Sequence, residues 1–84
     1  MKKYVITFRS VTYAQRGEKV LKRASIDCLL RRTPKVLAKN GCGYCLQIRS
    51  EDAGRAVTLL QEAQLQYEMI FAIGSDGSFE EISI

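Results

Sequence analysis

Hydrophobic and polar positions alternate at the start of the chain: Tyr4, Ile6 and Phe8 oppose Val5, Thr7 and Arg9. This two-residue period predicts a first strand over 4–9. Thr12-x-x-Gln15 then reads as a capping box, and Ala14, Gly17, Leu21 and Ala24 recur at spacings of three and four, predicting a helix over 12–23. Gly17 inside that helix costs about 1 kcal/mol relative to alanine and reads as a point of close approach to the sheet. Alternation returns over 25–31, with Ile26, Cys28 and Leu30 on one face, and Cys28 is read as a core residue. Thr33-Pro34 suits a helix cap followed by proline, and Asn40-Gly41 suits a left-handed exit, so 33–41 is predicted to be a hairpin loop with one helical turn.

A third strand is predicted over 44–49, where Tyr44, Leu46 and Ile48 face inward against Cys45, Gln47 and Arg49. Ser50-Glu51-Asp52 provides a cap with acidic residues where a helix N-terminus favours them, and Ala53, Ala56, Val57, Leu60 and Ala63 form the stripe of a second helix. A fourth strand follows over 67–73, and Asp76-Gly77 is a strong hairpin signal leading to a short fifth strand over 79–84. The order β-α-β-β-α-β predicts an α+β fold of ferredoxin-like type. Two helices cover one face of an antiparallel sheet, the first and third strands are central, and a short extra strand lies at the C-terminal end. Residues 1–84 read as a single domain. The other sheet face is assigned Val5, Thr7, Gln47, Arg49, Ile70 and Ala72, a mixed surface suited to solvent or to a homodimer, and the last strand can extend the edge or pair with another copy.

Composition changes this picture by subtraction. The balance of 46% apolar and 26% charged residues is that of an ordinary globular protein, and no apolar run approaches the length of a membrane helix. Lys2 and Lys3 lead into a strand rather than a signal segment, and three cysteines fit a reducing compartment, so a cytoplasmic protein is expected. There is no histidine, which excludes Cys-His catalysis and mixed Cys/His zinc sites within the chain. A zinc site of thiolates alone would need four, and there are three. No metal and no cofactor are expected. The net charge of +4 is modest beside that of dedicated nucleic-acid binders.

Chemistry concentrates in Gly41-Cys42-Gly43-Tyr44-Cys45, because two thiols at this spacing can form a disulfide, share a metal, or divide attacking and resolving roles. The segment precedes a strand, whereas the usual redox setting is a helix N-terminus, so a thioredoxin-like reading is poor. Three residues of extended strand span about 10 Å, and a disulfide needs Cα atoms within about 7 Å. Cys42 must therefore leave the strand to meet Cys45, a bend that Gly41 and Gly43 permit. Arg31, Arg32, Lys35 and Lys39 lie in the adjoining strand end and loop, where positive charge favours a thiolate or holds an anion. The site expected is Cys42 as nucleophile and Cys45 as resolving thiol. Arg32, Lys35 and Lys39 bind an anion or partner, and Pro34, Gly41 and Gly43 set the loop geometry.

The whole chain resembles the putative selenium/sulfur carrier protein-like family of small bacterial domains. The resemblance lies in Tyr4-Val5-Ile6-Thr7-Phe8-Arg9-Ser10, in Glu18-Lys19-Val20-Leu21-Lys22-Arg23-Ala24, in Thr33-Pro34-Lys35 and in Cys42-Gly43. The family's cysteine-glycine step maps to Cys42-Gly43 and its threonine-proline step to Thr33 and Pro34. This sequence departs from it with Val36, with Asn40-Gly41 and with the second thiol Cys45. The resemblance implies a carrier or redox accessory, not a stand-alone enzyme, that receives sulfur or selenium on Cys42 and passes it to partner proteins by exchange. Two other readings compete. Gly41 to Cys45 partly resembles the third-strand motif of an RNA-recognition fold, but that fold would bury Gln47 and Arg49 and expose Leu46 and Ile48, against the periodicity. The other is a non-catalytic interaction or regulatory module using the free sheet face.

Overall fold

The computed structural model describes residues 3–37 and 43–82. Its elements follow the order β1 (Lys3–Phe8), α1 (Val11–Arg23), β2 (Cys28–Arg32), β3 (Tyr44–Arg49), a short 3-10 turn (Ser50–Asp52), α2 (Ala53–Glu62), β4 (Ile70–Ile73) and β5 (Phe79–Ile82). This is an α+β fold with one five-stranded sheet in the order β2-β3-β1-β4-β5, every neighbouring pair antiparallel. β3 has the predicted bounds. The last residues of the predicted fifth strand, 83–84, lie outside the described residues, as do Asn40 and Gly41 of the predicted loop exit.

Both helices pack on the sheet face that carries Ile6, Phe8, Leu46, Ile48 and Ile70, and they bury Ala14, Leu21, Ala53, Ala56, Val57 and Leu60 against it. Burying each large aliphatic or aromatic side chain here contributes about 1.5–3 kcal/mol. Gly17 is the close approach that the sequence predicts. A Cβ at this position would lie 3.1 Å from Phe8 Cζ, 3.2 Å from Leu46 Cδ1 and 3.3 Å from Leu60 Cδ2. The missing side chain lets α1 sit down on the sheet and against α2.

Several boundaries differ from expectation for local reasons. α1 begins at Val11, just before the Thr12 box: Ser10 is the cap, its hydroxyl accepting from the Tyr13 backbone N–H at 3.4 Å. β2 begins at Cys28 and not at Ser25, because Ser25 takes a left-handed conformation (φ 62°) that ends the helix. There the Ser25 N–H donates to the Lys22 carbonyl and the Ile26 N–H to the Leu21 carbonyl, the paired bonds of a Schellman exit. α2 ends the same way at Gln64 (φ 59°), with Leu65 N–H donating to the Leu60 carbonyl. The reversal leaves Ala63 exposed and puts Leu65 in the core instead. At its other end α2 is preceded by the 3-10 turn, and no side chain of 50–52 caps it.

The fourth strand is shorter than 67–73 and opposite in phase. Glu68 N–H donates to the Thr7 carbonyl and Met69 N–H to the Thr7 hydroxyl, so two residues face one across a bulge. The extra residue flips the alternation, as any one-residue slip does. Ile70 and Ala72 therefore lie on the helix-covered face, paired with Ile6 and Tyr4, and it is Phe71 and Ile73 that join Val5, Thr7 and Gln47 on the other. The turn into β5 is as expected: Gly77 has φ 84°, and Asp76 Oδ1 accepts from the Ser78 N–H at 3.0 Å and the Ser78 hydroxyl at 2.6 Å.

Candidate functional site

The site is built at the end of the sheet where β2 and β3 exchange the chain. Thr33 N–H donates to the Gly43 carbonyl at 3.0 Å, closing the base of the loop one residue beyond β2 and one before β3. A Cβ on Gly43 would lie 3.3 Å from both the Phe8 carbonyl oxygen and Thr33 Oγ1, so glycine allows this pinch. Beyond Thr33, Leu37 N–H donates to the Pro34 carbonyl at 2.9 Å, forming the single turn expected after Thr33-Pro34. Val36 and Leu37 then line a shallow pocket with Gly77, Ser78 and Phe79. β2 and β5 are opposite edges of the sheet. The segment that leaves β2 therefore crosses the face without helices and reaches the far hairpin.

That crossing lies over a face on which Val5, Thr7 and Cys45 are expected to be free, and which Phe71 joins through the shifted phase of β4. Val5, Thr7, Phe71 and Cys45 are all buried, Cys45 at 1% exposure. Cys45 lies between Thr7 of β1 and Arg31 of β2 in the sheet register. Burial pushes its thiol up, and the neighbouring Arg31 guanidinium and Thr33 hydroxyl offset only part of that. The Thr33 hydroxyl approaches the sulfur closely enough to favour thiolate, yet makes no aligned hydrogen bond to it or to any other group among the described residues. Thr33 is 7% exposed, so this is an orphaned buried hydroxyl beside a buried thiol. The third-strand thiol is thus held neutral at pH 7, shielded from solvent.

Cys28 is half-buried and not fully in the core. Its Sγ points at the Glu18 carbonyl oxygen at 3.9 Å, and burial followed by the negative charge of Glu18 pushes its thiol up as well, against the opposing effect of Lys22. Both described cysteines are free thiols. Cys42, Lys39 and Gly41 lie outside the described residues.

The basic residues divide between the two faces. Arg31 is on the Cys45 face and donates to Gln47 Oε1 at 2.7 Å. Arg32 pairs with Tyr44 and belongs to the helix side of the sheet, so it and Cys45 do not share a face. Lys35 is exposed at the start of the crossing segment and Pro34 is half-buried. Arg31 and Thr33 are the two groups nearest Cys45 that the expected site omits. The two-residue period of the second strand carries the signal for Arg31, since an even step separates it from Leu29, which faces away from the core. Arg49, at the far end of β3, is engaged elsewhere: it pairs with Asp27 at 2.8 Å, Glu51 at 3.6 Å and Asp52 at 3.8 Å.

The RNA-recognition alternative loses its platform here. Leu46 and Ile48 are buried on the helix side, as the periodicity predicts, and the central strands offer Val5, Thr7, Cys45 and Gln47 to the other face, with no aromatic ring among them. Among the described residues no helix is long and apolar enough to cross a membrane.

Fold and site together define a small α+β domain whose loop base, pinned by Thr33 and Gly43, adjoins a Cys-Gly step. The model of the family described as "Putative Se/S carrier protein-like" matches residues 3–72, and the chain belongs to that family. No curated protein and no solved structure matches it.

Proposed function

We propose that this protein is a sulfur or selenium carrier, or a thiol-redox accessory, that holds its cargo on Cys42 and acts with partner enzymes rather than alone. The observation that carries the reading is the state of the other two thiols. Cys28 and Cys45 are packed and pushed up by burial, whereas Cys42 is the family's Cys-Gly step and is bonded directly to the pinned Gly43. Loading is a thiol exchange: the Cys42 thiolate attacks the outer sulfur of a donor persulfide, the new S–S bond forms as the donor's S–S bond breaks, and the donor leaves as a thiolate. No external oxidant is consumed, and delivery repeats the step with an acceptor thiolate as nucleophile. Lys35 and Lys39, with Arg32, supply positive charge near an anionic cargo or partner. Cys45, neutral and covered, is a resolving thiol only after the crossing segment lifts.

The finer description of the fold as ferredoxin-like belongs to the same proposal. It is supported by the β2-β3-β1-β4 order with two helices on one face, β5 being an addition at the edge. Three cysteines and the absence of a disulfide between the two described ones are in keeping with a reducing compartment such as the cytoplasm.

Intact-protein mass spectrometry of the reduced protein over a pH series tests the reading. Cys42 is expected to alkylate fast near pH 7 and to take up sulfur from a small-molecule persulfide, with half-buried Cys28 labelled more slowly and Cys45 only on denaturation. A folded Cys42→Ser protein that loads sulfur as quickly as the parent would sink it.

A further inference from the structure

The charge of this chain is divided by sequence half. Residues 3–37 carry nine basic and two acidic side chains, and residues 43–82 carry two basic and seven acidic ones. The division reaches the edges of the sheet. β2, at one edge, ends in Arg31 and Arg32, and β5, at the other, holds Glu80 and Glu81; all four are exposed. Among the described residues, β2 pairs only with β3 and β5 only with β4, so each presents an unpaired outer edge. Charged residues on edge strands usually guard against pairing. Guards of one sign on both edges repel every copy, but guards of opposite sign repel only like edges.

We infer that β5 of one molecule docks beside β2 of a second copy, head to tail, extending the sheet. Three features favour a second copy as the occupant. Four successive antiparallel steps leave β2 and β5 running in the same direction. A translated copy therefore meets the edge as a parallel strand, with its helices on the same side. Arg31 and Glu81 both belong to the face without helices, and Arg32 and Glu80 both belong to the helix side. The register that sets Arg31 beside Glu81 also sets Leu29 beside Phe79 on one face, with Arg32 one diagonal step from Glu80. Leu29 is one of three large apolar side chains exposed among the described residues, at 55%, and this pairing gives it a cover. Pairing β5 with β5, or β2 with β2, would instead set like-charged strands side by side.

A head-to-tail contact leaves a free β2 edge and a free β5 edge on every dimer, and a translated copy does not bring them together, so growth continues past two. Sedimentation equilibrium of the full chain under reducing conditions, from about 10 µM to about 1 mM, reads the outcome. In about 20 mM salt the weight-average mass should climb above the 9.5 kDa monomer without a plateau at two copies, and about 0.5 M salt should reverse it. R31E/R32E and E80K/E81K, each shown folded by circular dichroism, should associate at least about tenfold more weakly than the parent. Mixing the two reversed proteins should restore association, because each then meets an opposite edge. A parent that stays monomeric throughout at low salt overturns the proposal. So does an association that both reversals leave intact, or one that the mixture fails to restore.

Discussion

The two faces of the sheet are buried at their centres by different means. On one, helices α1 and α2 lay down Ala14, Leu21, Ala56, Val57 and Leu60 against Ile6, Phe8, Leu46 and Ile48, with the Cys28 thiol at the margin of that contact. On the other, a segment with a single turn crosses from β2 to the β4–β5 hairpin. What lies on that side includes a thiol, the bonded Thr7 hydroxyl and an orphaned Thr33 hydroxyl. A helix satisfies its own backbone and so can cover a sheet with hydrocarbon alone; an irregular crossing brings polar groups with it. Chemistry is therefore expected on the second face, where a thiol and two hydroxyls are buried and one hydroxyl has no partner among the described residues.

Adjacent residues give the largest test, because Leu46 and Cys45 point to opposite faces and are equally inaccessible. Leu46→Ala is expected to cost about 2–5 kcal/mol, through lost transfer energy and a cavity between the helices and the sheet. Cys45→Ala should cost only about 1 kcal/mol, since it deletes one sulfur beneath a cover able to settle. Urea midpoints at unchanged slope measure both. Equal losses would mean that the crossing segment packs as tightly as the helices do.

The same division decides how much was legible in advance. Strand β3 could be read to the residue because its alternation is uninterrupted, and Gly17 could be read as a contact because a helix rarely keeps glycine without a reason. The phase of β4 could not, since the bulge at Glu68 and Met69 depends on the Thr7 hydroxyl, far away in sequence. Ser25 and Gln64 gave no sign that they would take the left-handed exit usually held by glycine. Nor did Val36 and Leu37 reveal that they would line a pocket with Gly77–Phe79, an approach with no periodicity to announce it. That Arg31 and not Arg32 shares a face with Cys45 follows from strand alternation once the register is known. The Cys42 end of the site rests on sequence and family, and the Cys45 end on geometry.

Two threonines sharpen the contrast at the next level of effect. The Thr7 hydroxyl accepts from the Met69 N–H at 3.0 Å and faces the Met69 carbonyl at 3.3 Å, and it holds the bulge. Thr7→Val should cost about 1–2 kcal/mol by stranding that N–H. The Thr33 hydroxyl has no such partner among the described residues, so Thr33→Val should be neutral or should stabilise by up to about 1 kcal/mol. Thermal unfolding of the two variants beside the parent separates them. A Thr33→Val cost matching that of Thr7→Val would show that the hydroxyl is satisfied after all, by water or by a group of the covering segment.

The smallest expected effect is a slope against pH, and its sign follows from the two described thiols. Burial raises both Cys28 and Cys45 in the folded protein, while in the unfolded chain an ordinary thiol ionises near about 8.5. As pH rises past the unfolded value, the unfolded chain loses protons first and is favoured. The thiols' contribution is therefore complete below about pH 8.5 and declines as pH climbs through the higher folded values. Arg31 belongs to this balance because its charge draws the Cys45 thiol down. Arg31→Gln should raise that thiol further and carry the decline to higher pH. Urea midpoints from about pH 7 to about pH 10 should fall more steeply for the parent than for a C28A/C45A protein. Lysines and tyrosines are common to both proteins, so the difference between the curves isolates the buried thiols. Parallel curves would mean that both sulfurs ionise in the folded state as readily as in the open chain, and that neither face of the sheet shields its cysteine.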